Sequence, residues 1–175
     1  TLPSPCWPLP AQTVNKSVMS KILPHERTFV ALDTTDLAHA LNLAKSLSGH
    51  VGGMKVGKEF FTACGPDGVR AVTDCGMPVF MDTKFHDIPN TVAGAVAAAS
   101  ALDCFMLTIH ASGGSAMIRA AADARGEGGP KIVAVTVLTS LGDDDLASVG
   151  QAGPAAEQVM RLGNLARTAG ADGLV

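Results

Sequence analysis

Residues 78–91, PVFMDTKFHDIPNT, place Asp82, Lys84, His86 and Asp87 close together, directly after Val79, Phe80 and Met81. The apolar residues read as a buried strand. Charge at the end of such a strand is costly unless it is paired. Acid and base in alternation therefore point to a site where an ammonium is held beside carboxylates. Side chains at i and i+2 on a strand share a face, so Asp82 and Lys84 should point the same way above Phe80. Val79, Met81 and Thr83 should face helices. Lys55 should join from the neighbouring strand, with Gly53 leaving room below it. The expected result is Lys–Asp–Lys with Asp87 just beyond. Two cations and two anions in alternation are nearly neutral together and tolerable in a dry pocket, where a lone lysine would lose its charge. A purely structural ion-pair network is the alternative use of the same residues.

The elements that must position these groups repeat from Thr28 onward. Apolar runs at 28–33, 51–57, 78–84, 103–111, 131–140 and 171–175 read as strands. Helical periodicity falls at 36–47, from 58 to about 75 with an interruption near CGPDG, and at 90–102, 113–125 and 154–168. A polar loop with GDDD precedes the last helix. Strands alternating with helices, each strand a continuous apolar run, predict a parallel sheet buried on both faces. An open doubly wound sheet and a (β/α)₈ barrel both fit. The first βα turn, ALDTTDLA, lacks the glycine fingerprint of a dinucleotide site. Asp33, Lys55, Asp82, Lys84, His110 and Thr139 all lie toward the carboxyl ends of strands, the edge where parallel α/β folds bind ligands. His86 reads as a packing or hydrogen-bonding loop residue, whereas His110 is equally open to a role in the site.

Bulk properties narrow the function classes. The 175 residues carry 13 basic and 16 acidic side chains, a formal net charge of −3, with no basic stripe for nucleic acid. Apolar runs fall short of a membrane span. Tyrosine is absent and aromatics make up 4%, which disfavours a base-stacking platform. Cys6, Cys64, Cys75 and Cys104 have no metal-like spacing and read as reduced structural thiols of a cytoplasmic protein. Residues 1–27 are proline-rich and aperiodic, without signal-peptide features. They read as a mostly disordered extension, or as a start assigned too early with Met19 as the true one. NKS at Asn15 fits a glycosylation acceptor, but nothing else suggests secretion.

DTKFHDIPNT resembles the D-x-K-x-x-D-I-P-N-T segment of the orotidine 5′-phosphate decarboxylase family. ALD at 31–33, KVGKEFFTACGP at 55–66, IHASGG at 109–114 and AVTVLTS at 134–140 follow in the order of its bacterial members. The resemblance implies a homodimeric (β/α)₈ TIM barrel converting orotidine 5′-monophosphate to uridine 5′-monophosphate and CO₂, with no metal and no cofactor. It implies that Lys84 protonates C6, that Asp82 lies beside the substrate carboxylate, and that Lys55 holds Asp82 and the ribose side. Asp87 would enter the partner's site, with Ile88 and Thr91 lining the same region. Asp33 would bind ribose hydroxyls. Thr139, with Ser140 nearby, would sit against the pyrimidine. Only about five and a half of eight βα units fall within 28–175, so the family's phosphate-gripping C-terminal units are expected to belong to a longer enzyme. A related sugar-phosphate decarboxylase or synthase, some of which use magnesium, and a non-catalytic dimerisation module are the alternatives.

Overall fold

The computed structural model describes residues 22–151 and 153–175. Of the expected extension, residues 1–21 lie outside the described residues, as does Cys6; Pro24–Arg27 form one 3₁₀ turn. Strands β1 (Phe29–Ala31), β2 (Gly53–Gly57), β3 (Val79–Phe85), β4 (Met106–His110), β5 (Lys131–Val135) and β6 (Gly173–Leu174) make one sheet. All pairings are parallel and the strand order is sequential, 1 to 6. A doubly wound sheet reverses its order at a switch point. Sequential order without reversal is the winding of a (β/α)₈ barrel, of which this chain supplies five βα units and a sixth strand.

Helices α1 (Leu37–Leu47), α2 (Lys58–Thr73), α3 (Pro89–Ser100), α4 (Gly114–Ala124), α5 (Asp143–Ser148) and α6 (Ala155–Thr168) connect the strands. Local chemistry sets their ends. Asp36 caps α1 by accepting from the Ala38 and His39 amides at 2.8 and 3.1 Å. Pro89 opens α3, where its missing N–H costs nothing. The expected interruption of α2 is found at Gly65, whose φ of 60° sits just before Pro66. The GDDD loop is not a loop throughout. It holds α5, with three aspartates in the first turn and the Asp145 carboxylate accepting from the Gly142 amide at 2.8 Å.

The two sheet faces differ in how far the described residues, which form part of a barrel, cover them. Met54, Val56, Val79, Met81, Leu107, Ile109, Ile132 and Ala134 point to the helices and are fully buried. The inner face is only partly covered. Phe29 packs edge-to-face on Phe80 and stacks on Phe105, each pair with centroids 6.1 Å apart. Gly53 does leave room, and Phe29 fills it: a Cβ at Gly53 would stand 2.5 Å from the Phe29 ring. The aromatic floor therefore lies at the amino ends of the strands and the charged residues lie above it. The three described cysteines, Cys64, Cys75 and Cys104, are free thiols. Burial pushes Cys104 up to about 11, so it stays neutral at physiological pH.

Candidate active site

Four charged side chains meet at the carboxyl edge of β1–β3. Lys84 Nζ donates to Asp82 Oδ1 at 2.6 Å. Lys55 Nζ lies 3.4 Å from Asp82 Oδ2 and 4.0 Å from Asp33 Oδ1. The order is Asp33–Lys55–Asp82–Lys84. Asp82, at the centre, has only 15% of its side chain exposed, whereas Asp33 has 68%. The Asp82 pairs are thus partly shielded from water, and the Asp33 pair is a weak surface contact. Burial pushes the Asp82 carboxyl up, but hydrogen bonds from Lys84 and Thr108 and the charges of Lys84 and Lys55 outweigh it, leaving the group below its usual value.

The expected second anion was Asp87; the structure puts Asp33 in that place. Among the described residues Asp87 pairs with no cation, and its carboxylate accepts from the Ile88 amide at 2.6 Å. Asp87 and Ile88 occupy the exposed turn before α3, and Thr91 lies on its first turn. With His86, Pro89, Ser112 and Gly113, Asp87 and Ile88 line an open concavity of about 550 Å³. Thr139 does not end β5. The strand stops at Val135; Thr136 N–H still donates to the Val175 carbonyl at 2.8 Å, in register with the β5–β6 ladder, and Thr139 and Ser140 stand exposed in the following turn. His86 and His110 face each other with ring centroids 5.5 Å apart. Burial lowers the His110 pKa, and His86, Lys58 and Lys84 lower it further against the opposing charge of Asp82.

Simple alternation along β3 does not explain how Lys84 reaches Asp82. Met81 pairs with Leu107 and Phe85 with Ile109, so four residues of β3 advance against two of β4. The surplus is a bulge, and within it Lys84 takes φ 52°, a left-handed conformation rare for a residue with a Cβ. Opposite the bulge stands Thr108, fully buried. Its hydroxyl accepts from the Lys84 amide at 2.8 Å and donates to Asp82 Oδ1 at 3.0 Å. Sequence reasoning missed Thr108. The only signal was one hydroxyl inside the apolar run MLTI, and threonine is an ordinary strand residue. Among the described residues no group of three or more His, Cys, Asp or Glu is placed to hold a metal ion.

A sequentially wound parallel sheet with interlocked lysines and aspartates at its carboxyl edge, the edge where such barrels carry their sites, defines a protein of the TIM-barrel class. The chain belongs to the orotidine 5′-phosphate decarboxylase / HUMPS family, whose model matches residues 26–175. It is 52% identical over 154 residues to an orotidine 5′-phosphate decarboxylase of Paramagnetospirillum magneticum, covering 84% of this chain and 66% of that protein. It is 51% identical over 147 residues to that of Novosphingobium aromaticivorans, covering 84% and 65%. The crystal structure of orotidine 5′-phosphate decarboxylase from Lactobacillus acidophilus superposes with a TM-score of 0.75 at 40% identity, over 84% of this chain and 69% of that one. The chain thus spans just under two thirds of the length of these curated relatives.

Proposed function

We propose that this chain carries the reacting groups of an orotidine 5′-phosphate decarboxylase, acting in the cytoplasm in pyrimidine nucleotide synthesis. The observation that carries the reading is the Asp33–Lys55–Asp82–Lys84 chain, set on the strands where such an enzyme needs it. Curated relatives of that name at half identity favour it over a sugar-phosphate lyase of the same family.

In the reaction the C6–carboxylate bond breaks, CO₂ leaves, and the bonding pair remains in an sp² orbital at C6. The ring π-system cannot delocalise that pair, so stabilisation must be electrostatic. An ammonium about 4 Å from the developing charge contributes roughly 4 kcal/mol at an effective dielectric of 20. Lys84 supplies it and then donates its proton to C6, leaving a neutral amine that solvent reprotonates. Asp82, kept ionised by its two lysines and Thr108, orients Lys84 and repels the substrate carboxylate until CO₂ departs. Lys55 holds Asp82 and reaches, with Asp33, toward the ribose. Thr139 contacts the pyrimidine. Asp87, Ile88 and Thr91 complete the partner's site in a homodimer. The reading gives residues 28–175 to the barrel and leaves 1–27 as an extension; it invokes no metal or cofactor.

The test follows the orotate absorbance of orotidine 5′-monophosphate with the purified chain and EDTA. Turnover that Lys84→Ala reduces at least about a thousandfold is expected, the equivalent of the 4 kcal/mol above. Turnover abolished by EDTA, or indifferent to Lys84→Ala, would overturn the mechanism. No turnover would count against the chain as a self-sufficient enzyme.

A further inference from the structure

We propose that Thr108 is a positioning residue, its one buried hydroxyl setting both the backbone of Lys84 and the carboxylate of Asp82. The catalytic part of this inference rests on the decarboxylase reading above; the geometric part does not.

The bulge in β3 creates the need. With four residues of β3 set against two of β4, the Lys84 amide falls out of the regular ladder. A buried N–H without an acceptor is costly. Thr108 Oγ1 accepts it at 2.8 Å. The bond directions are unambiguous, because the amide must donate and an ionised carboxylate accepts only. The hydroxyl proton is therefore free for Asp82 Oδ1, 3.0 Å away. That same oxygen receives Lys84 Nζ at 2.6 Å. One hydroxyl thus closes a ring through Lys84 backbone, Lys84 side chain and Asp82 carboxylate. Thr108 is fully buried and β-branched, on a strand paired on both sides, so its own rotamer is restricted. A contact fixed before substrate arrives holds the ammonium in place without reorganisation during the reaction.

Thr108→Val keeps the shape and removes the hydroxyl; Thr108→Ser keeps the hydroxyl and removes the methyl. The first readout needs no activity: the Asp82 carboxyl carbon is titrated by NMR in the 175-residue chain. Thr108→Val should move its midpoint upward and Thr108→Ser should restore it. The second readout is kinetic. Thr108→Val should lower kcat about 10–100-fold with KM nearly unchanged, as expected when a reacting group is displaced by a fraction of an ångström to an ångström, and the serine variant should recover most of the loss. A third needs no variant: the Lys84 amide should exchange with solvent far more slowly than an unbonded amide. An unmoved Asp82 midpoint in folded Thr108→Val, or a Lys84 amide exchanging at the intrinsic rate, would overturn the proposal. Failure of the parent chain to decarboxylate, with the titration and exchange as expected, would instead strike the decarboxylase reading and leave the positioning role supported.

Discussion

Lys84 holds a left-handed backbone that costs a residue with a Cβ about 1–2 kcal/mol. The neighbouring hydrogen bonds offset that cost and aim the ammonium at Asp82. Titration of the surrounding groups follows from their environments. Asp82 sits below its ordinary value of 3.8, so its contribution to stability is present above that pH and is lost as pH falls through the lower folded value. His110 sits below its ordinary 6.5. In the interval beneath 6.5 the unfolded chain takes up a proton that the folded chain refuses, so stability should decline on acidification from neutrality. Denaturant midpoints measured from pH 7.5 to 5 should show this decline, and His110→Gln should flatten it. An unchanged slope in that variant would mean that His110 is not the group responsible. At this scale the sequence was legible where chemistry is written in residue type. Asp82, Lys84 and Lys55 stand out because charge in an apolar strand is conspicuous. Thr108 stayed hidden because its hydroxyl matters only through a register shift that no local pattern announces.

The elements repeat this division between what is local and what is not. Helix starts were readable to within a residue because caps are local: the Asp36 carboxylate accepts from amides two and three residues on, and Pro89 fixes its own backbone at the first position of α3. Strand ends were not, since pairing decides them. β5 was expected to run to Ser140 but ends at Val135, the pairing with β6 reaching only as far as the Thr136 amide. α5 was missed because six residues give too little periodicity to see. Two helix glycines show how local conformation, not space, decides a substitution. A Cβ at Gly65 or at Gly94 would meet nothing within 4 Å. Gly65 has φ 60° and breaks α2, while Gly94 lies in the exposed interior of α3 with no positive φ. Gly65→Ala should lower stability by about 1 kcal/mol or more, and Gly94→Ala should raise it by about 0.4–1 kcal/mol. Chemical denaturation of the two variants side by side checks both signs, and equal effects would show that the kink in α2 is not a conformational requirement.

Across the whole molecule, one sheet face is sealed by helices and the other remains partly open. Phe105 on the inner face is 48% exposed, and Leu174 and Val175 are about half exposed at the β6 edge. Another apolar side chain, Ile88, is 66% exposed in the turn before α3. An isolated exposed isoleucine is ordinary, but here it adjoins Asp87 and the open concavity. If that surface joins two copies, Ile88→Asp should place a carboxylate in a desolvated contact and shift the chain to monomer in sedimentation velocity. A dimer that survives Ile88→Asp would place the contact elsewhere.

The bulge in β3 bears on any attempt to transplant this chemistry. Copying D-x-K onto a regular strand of another barrel would reproduce the letters and not the geometry. On a straight strand the two side chains stand nearly 7 Å apart at their roots and rise in parallel, whereas here a left-handed residue folds the ammonium back onto the carboxylate. A working graft would have to bring the two-residue surplus and a hydroxyl on the adjacent strand to receive it. The smallest transferable unit of this site is a pair of strands.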